Sequence, residues 1–118
     1  MAWGERKLIN EFLLKATAMG SRLFRFQSGV FFSKNGAPIR VGTPGMSDLM
    51  GWTTVKVTRD MVGKDIAIFT AIELKTQNAR ATKAQKAFVS LVRSHGGISA
   101  IAYNWDDFEN TLGEFHAR

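Results

Sequence analysis

The feature that most constrains this chain is the stretch from Ile66 to Lys75, which reads IAIFTAIELK. It predicts an apolar strand that ends with a carboxylate and an ammonium group two residues apart, at Glu73 and Lys75. Because side chains alternate along a strand, these two charges point to the same side. Apolar residues on both faces are typical of a central strand that is covered on both sides. Charges at the end of such a strand are costly without partners, so we expect partners elsewhere in the chain.

The composition restricts the class of protein. With 118 residues, of which 45% are hydrophobic and 22% charged, the chain is predicted to form a single globular domain over residues 1–118. The absence of cysteine excludes disulfides and thiolate metal sites, and two histidines argue against a histidine-rich zinc site. We expect a cytoplasmic protein without a membrane partner, because no apolar run suits a transmembrane helix or a signal peptide. The net charge of +6 favours an anionic partner such as nucleic acid.

The first predicted element is a helix over about residues 4–19, closed by Gly20. Taking 100° per residue, Glu5 falls on the apolar stripe of this helix, whereas Glu11 falls near its flank. A carboxylate on a buried stripe has two explanations. It either interacts with the dipole of its own helix or contacts a metal ion or water beneath the helix.

Strands are predicted to follow this helix. Residues 22–32 and 39–41 read as two strands joined by a turn at residues 33–38, where Asn35-Gly36 is a strong hairpin signal. The loop at residues 42–47 contains two glycines and a proline, and another strand begins at Asp48. Residues 53–65 are predicted to form a hairpin that leads back into the central strand.

The second half of the chain continues with a capping box. Thr82 followed by Gln85 predicts that a helix starts here, with Gln85 close to the end of the central strand. Gln85 therefore either serves only to cap the helix, or caps the helix and also contributes to the site. A strand at residues 98–103 and a helix at residues 106–115, capped by Asp106 or Asp107, complete the predicted order α-β-β-β-β-α-β-α.

Three carboxylates and one lysine are predicted to converge at strand ends: Glu5, Asp48, Glu73 and Lys75. Mg²⁺ prefers oxygen ligands and keeps several waters, so these carboxylates and the Leu74 backbone carbonyl suffice for one or two ions. Such a metal lowers the pKa of a bound water and neutralises a phosphate oxygen. Lys75 is expected to orient or deprotonate that water and to stabilise the charge of the transition state. A lone Glu-x-Lys is common on protein surfaces as an ion pair, so it is the combination of these residues in this order that favours such a metal site.

The loop from Gly42 to Asp48, the Glu73-Leu-Lys75 strand and the helix opened by Gln85 together resemble the VRR-Nuc group of the PD-(D/E)xK nuclease superfamily, and most of all its small stand-alone phage proteins. The resemblance implies an α/β, restriction-endonuclease-like core with a central mixed sheet flanked by helices. It also implies Mg²⁺ or Mn²⁺ dependence and phosphodiester hydrolysis. For stand-alone members it implies a homodimer that cuts branched DNA such as four-way junctions, in the host cytoplasm. Ser47 replaces the proline of the superfamily motif, which is not a ligand, so the chemistry is expected to be intact.

By this resemblance Asp48, Glu73 and Lys75 are core catalytic residues, Gln85 is the accessory residue and Glu5 is the helix carboxylate. Exposed cations supply affinity for phosphates regardless of sequence, and the candidate contacts, each otherwise a solvated surface residue, are Arg22, Arg25, Arg40, Lys56, Arg80 and Lys83. Two alternatives stay open. One is a nicking or restriction-type endonuclease on duplex DNA, with residues 53–64 as a recognition insertion. The other is a non-catalytic nucleic-acid-binding module.

Overall fold

Three α-helices, one short 3₁₀ helix and six strands lie along residues 3–117, the part of the chain that the computed structural model describes. They form two units, divided between Val55 and Lys56. The N-terminal unit holds α1 (Trp3–Ala18), β1 (Ser21–Arg25), β2 (Gly29–Phe32), β3 (Pro38–Val41) and β4 (Leu49–Thr53). The C-terminal unit holds a 3₁₀ helix (Arg59–Met61), β5 (Thr70–Leu74), α2 (Lys83–Ser94), β6 (Ile98–Ala102) and α3 (Trp105–His116). The predicted α/β class is confirmed, with both antiparallel and parallel strand pairs.

The N-terminal unit contains two antiparallel strand pairs. β1 pairs with β4, and Phe24 packs against Trp52 with ring centroids 5.5 Å apart. β2 pairs with β3 as a hairpin, closed by the Ser33 backbone N–H donating to the Ala37 carbonyl at 2.9 Å. The predicted turn at residues 33–38 is therefore confirmed.

The prediction of one continuous strand over residues 22–32 is wrong, because this segment forms both β1 and β2. The last bond that extends the β1 pairing runs from the Phe26 backbone N–H to the Asp48 carbonyl, at 2.8 Å. β2 then begins at Gly29, whose φ of +147° is a conformation that other residues rarely adopt. The two strands on either side of residues 26–28 pair with different partners.

The burial predicted for Glu5 is also wrong, since its side chain is exposed. The half-buried positions of α1 are Ile9, Leu13 and Ala16. At 100° per residue this stripe centres about 45° away from Glu5 and begins one turn after it. Glu5 therefore lies at the border of the stripe, in the first turn.

The C-terminal unit is built on a parallel strand pair, β5 and β6, connected through α2. The buried apolar side chains are Val92 of α2 and Ile98, Ala100 and Ala102 of β6. Gly97 is buried where α2 meets the sheet, and a Cβ atom there would lie 2.6 Å from Val92 Cγ1. A parallel pair needs such a crossover, and a glycine permits the close approach of helix and strand.

α2 covers one face of β5, where it lies beside Ala71 and Glu73. Leu74 points to the opposite face and is 77% exposed, because α3 packs mainly against β6. The prediction that this strand is covered on both sides is therefore wrong.

The length of that strand was predicted wrongly. The strand covers Thr70–Leu74, and Ile66 and Ile68 precede it with exposed side chains. Its partner β6 begins only at Ile98, whose backbone N–H donates to the Phe69 carbonyl at 2.9 Å. Without partner residues before Ile98, the apolar stretch ahead of Phe69 has no ladder to join.

Two further predictions about the C-terminal unit are wrong. The described residues 54–65 contain no strand, only the 3₁₀ helix, so the predicted hairpin is absent there. Helix α3 is capped by Asn104, whose Oδ1 accepts a hydrogen bond from the Asp107 backbone N–H at 2.9 Å. Asp107 Oδ2 in turn accepts from the Tyr103 N–H at 2.8 Å, so Asp107 occupies the third helical position instead of the cap.

Polar bonds also join α2 to the sheet near its C-terminal end. Arg93 Nε donates to the Ser99 carbonyl at 2.7 Å. The buried Ser99 hydroxyl donates to the Ala71 carbonyl at 2.6 Å, two residues before Glu73.

The helices of the described residues were also compared with the length and hydropathy of a membrane span, and none of them reaches both.

Candidate active site

Three of the predicted site residues meet where β5 ends. Gln85 Nε2 donates to Glu73 Oε1 at 2.7 Å, and Lys75 Nζ lies 3.4 Å from the same oxygen. The side chains of Glu73 and Lys75 are 35% and 18% exposed, so this ion pair is partly shielded from solvent. Glu73 is thus a half-buried carboxylate held by one amide and one ammonium group, both near the same oxygen.

Helix α2 brings Gln85 to this point because it begins just beyond the carboxyl end of β5. Thr82 caps the helix, and its Oγ1 accepts a hydrogen bond from the Gln85 backbone N–H at 3.1 Å. The Thr82 backbone N–H donates to Gln85 Oε1 at 2.9 Å, which completes the predicted capping box. Since the amide oxygen is occupied by the cap, the amide nitrogen faces Glu73. Gln85 therefore serves as a cap and contacts the site as well.

The Leu74 carbonyl lies on the edge of β5 that faces away from β6. The Lys75 backbone N–H donates to the Ala102 carbonyl at 2.9 Å. In a trans peptide the carbonyl of one residue points opposite to the N–H of the next, so the Leu74 oxygen points away from Ala102. This orientation leaves the oxygen unused by the β5–β6 ladder.

Asp48 belongs to the N-terminal unit, immediately before β4, and its side chain is exposed. Its backbone is fixed by the bond from Phe26, and the preceding loop is held at Gly42, which has a φ of +73°. A Cβ atom at Gly42 would lie 2.8 Å from Phe26 Cε1 and 3.0 Å from Met46 Sδ. Residue 42 is therefore a glycine because the backbone there has a positive φ and lies close to Phe26 and Met46.

Glu5 lies in the first turn of α1, also in the N-terminal unit. The structure brings together Glu73, Lys75 and Gln85 in the C-terminal unit, and it places Glu5 and Asp48 in the other unit. Within either unit, the described residues contain no group of three or more His, Cys, Asp or Glu side chains that are close enough to hold one metal ion.

The donors available at the end of β5 fit a magnesium or manganese ion in their chemistry. Glu73 Oε2 accepts no hydrogen bond from the described residues, and the Leu74 carbonyl is turned out of the ladder. Both are hard oxygen donors, the type that Mg²⁺ and Mn²⁺ prefer. Glu5 and Asp48 offer the same kind of donor, and neither carboxylate is hydrogen-bonded by another described residue.

The six basic residues predicted to contact phosphate are all exposed. Arg22 lies on β1 with its guanidinium 5.9 Å from the Phe24 ring centre, and Lys83 is the first residue of α2. Exposure is what such contacts require, and the contacts themselves stay predictions.

The sequence reasoning missed a group of aromatic residues beside this site. Tyr103, Trp105 and Phe108 line a pocket that Lys75 also lines. Tyr103 and Trp105 come directly after β6, and the carboxyl edge of a parallel sheet is where ligands bind. Aromatic residues that follow a predicted buried strand are the signal from which this pocket could have been found.

Comparison with known proteins gives one family. A model of the VRR-NUC domain matches residues 4–105, which begin in the N-terminal unit and end just after β6. No curated protein and no solved structure matches the chain. The matched region includes every predicted site residue. The chain therefore belongs to the VRR-NUC family of nuclease domains.

Proposed function

We propose that this protein is a metal-dependent endonuclease that hydrolyses phosphodiester bonds in branched DNA. Membership of the VRR-NUC family assigns the chain to the nucleases, with DNA as substrate. The observation that supports a catalytic role is the half-buried Glu73 carboxylate, held by Gln85 and Lys75 at the end of β5. A module that only binds DNA gains nothing from a carboxylate placed where phosphates must approach.

Glu73 and the Leu74 carbonyl are proposed as ligands of Mg²⁺ or Mn²⁺, together with Asp48 and Glu5. When bound, the metal activates a water and neutralises charge on the phosphate. Gln85 holds Glu73 Oε1 by its hydrogen bond, which leaves Oε2 for the metal. A ligand whose other oxygen is fixed by a neighbour is oriented before the metal arrives.

Lys75 is proposed to act on the phosphate and the attacking water. Its side chain is only 18% exposed and its ammonium group lies 3.4 Å from Glu73, which keeps it at the proposed reaction site. There it stabilises the negative charge that develops on the phosphate oxygens, and it orients the water by hydrogen bonding. These interactions are strongest where solvent is excluded, in keeping with the low exposure of its side chain.

We propose that the enzyme acts as a homodimer, since symmetric cleavage of a four-way junction needs two active sites related by a two-fold axis. The β2–β3 hairpin supports this proposal because it exposes apolar side chains on both faces. Val30 and Phe32 are 44% and 71% exposed on one face, and Ile39 is 48% exposed on the other. Exposed apolar surface of this kind marks contact sites. Sedimentation at micromolar concentration should give a dimer, and a monomer alone would remove the dimer proposal.

The catalytic proposal is tested with labelled four-way junctions, flaps and linear duplexes, with and without Mg²⁺ or Mn²⁺. The wild type should cut at least the branched DNA when metal is present. Lys75→Ala and Asp48→Ala should abolish cutting while circular dichroism shows an intact fold. Lys64→Ala, at an exposed turn, is the matched control and should cut normally. A wild type that binds these DNAs but cuts none of them with either metal contradicts the proposal.

A further inference from the structure

The pocket beside the proposed active site is lined mainly by apolar and aromatic side chains, which hydrolysis of a phosphodiester bond does not require. It has a volume of about 500 Å³ and lies where β5 and β6 end, within the C-terminal unit. Its apolar floor is formed by the strand residues Ile72, Leu74 and Ala102. The aromatic side chains are those of Tyr103, directly after β6, and of Trp105 and Phe108 in α3. An apolar cavity with a few polar groups at the carboxyl edge of a parallel sheet is a typical ligand site.

The aromatic side chains of the pocket are accessible and held in place. Trp105 is 66% exposed, and its ring packs edge-to-face on Phe108 with centroids 5.4 Å apart and an interplanar angle of 70°. Tyr103 is 47% exposed, and its hydroxyl donates to the Ala79 carbonyl at 2.9 Å. A large exposed tryptophan fixed by a neighbour is a platform on which a planar ring can stack.

Charges around the pocket decide which planar group fits. The pocket lies on the face of β5 opposite to Glu73, and Lys75 at the strand end lines the pocket and also lies 3.4 Å from Glu73. Lys75 therefore connects the pocket with the position proposed for the reacting phosphate. Asp106 and Asp107 follow Trp105 in the first turn of α3, so the helix next to the stacking residue carries negative charge. A phosphate is disfavoured beside these carboxylates, whereas an uncharged base is not. Lys75 then faces the backbone of the same nucleotide.

We propose that this pocket binds one unpaired nucleobase of the DNA substrate, stacked on Trp105, next to the phosphodiester bond that is cut. This inference rests on the proposed nuclease function and adds the basis for substrate choice. A base inside a duplex must be unpaired and unstacked before it can enter the pocket, whereas an unpaired base at a bulge, flap or junction enters at a much lower cost. Trp105 is thus a specificity-determining residue that favours distorted DNA over continuous duplex.

The test compares two DNAs of the same sequence, a continuous duplex and a duplex with a short bulge that contains the fluorescent base 2-aminopurine. Binding is measured in EDTA, and cleavage is measured separately in Mg²⁺. The wild type should bind the bulged DNA more tightly and quench the probe. Trp105→Ala should weaken binding of the bulged DNA by about fivefold to a hundredfold, the range for loss of one stacked base, without affecting the duplex. Trp105→Phe should retain most of the preference, and Phe12→Ala, at a 54% exposed aromatic residue of α1 in the other unit, should bind as wild type.

The outcomes separate this inference from the proposed function. If the wild type cuts DNA but Trp105→Ala and Trp105→Gln, both folded by circular dichroism, bind both DNAs as the wild type does, the base pocket is refuted and the nuclease stands. If the wild type neither binds nor cuts either DNA, both proposals fail. If Trp105→Ala does not fold, Trp105→Gln decides, because it removes the ring and keeps a side chain of similar length.

Discussion

Replacing Gln85 by alanine removes two hydrogen bonds that meet at the start of α2, one to Thr82 and one to Glu73. The bond to the Thr82 N–H contributes about 1 kcal/mol, and the bond to the carboxylate about 1.5 kcal/mol, because Glu73 is 35% exposed. The higher helix propensity of alanine offsets about 0.4 kcal/mol. We therefore expect Gln85→Ala to lower the free energy of unfolding by about 2 kcal/mol in urea denaturation.

The same variant should lose more activity than its stability explains. Without Gln85, Oε1 of Glu73 has only the more distant Lys75 ammonium near it, and the carboxylate is no longer oriented. Loss of a residue that orients a metal ligand costs about 10- to 100-fold in activity, so we expect the initial cleavage rate to fall by that factor. The rate is measured on end-labelled DNA in Mg²⁺, far below the unfolding temperature.

Thr82→Ala is the matched control, because it weakens the same helix start and leaves the bond between Gln85 and Glu73. It should cost about 1 kcal/mol of stability, as loss of an N-cap does, with a cleavage rate close to wild type. Equal losses of activity in the two variants would refute the reasoning, and so would a Gln85→Ala variant that cuts at the wild-type rate.

Three shorter predictions concern other parts of the molecule. Gly42→Ala should lower the free energy of unfolding by about 1–3 kcal/mol in urea, since φ is +73° and the new Cβ would lie 2.8 Å from Phe26; unchanged stability would contradict the loop geometry. Chelation with EDTA should stop cutting, and excess Mg²⁺ or Mn²⁺ should restore it, whereas cutting that persists in EDTA would exclude the proposed metal. Arg40→Ala, at an exposed position, should weaken binding of all DNAs alike and reduce the slope of log affinity against log salt by about 1, and an unchanged slope would remove Arg40 from the interface.

Local signals in the sequence predicted the elements well. The capping box at Thr82 predicted the start of α2, and Asn35-Gly36 predicted the β2–β3 hairpin. In each signal, a backbone hydrogen-bond donor or an unusual backbone conformation is matched by a suitable residue no more than four positions away. For the same reason Gln85 could be placed beside Glu73, because α2 must start where β5 ends.

Features that depend on distant partners were predicted poorly. The stretch from Ile66 reads as strand, yet β5 starts only at Thr70 because β6 offers no residue earlier than Ile98. The segment 22–32 divides because its halves pair with different strands, which its own residues do not reveal. Glu5 lies within the same range of helical angles as the apolar residues of α1. Its burial depends on where along the helix the contacts with the sheet begin, and the half-buried residues begin only at Ile9.

The polar bonds at the two ends of α2 determine how freely this helix can move. A helix that packs only through apolar side chains such as Val92 can slide or rotate at little cost, since such contacts have no direction. Here Gln85 is bonded to β5 at one end, and Arg93 is bonded to β6 about two turns later. Two directional attachments on neighbouring strands fix both translation and rotation, because sliding by one residue would break both bonds. The connection from β5 through α2 to β6 is therefore a stiff frame, and the position of Glu73 is as well defined as the sheet itself.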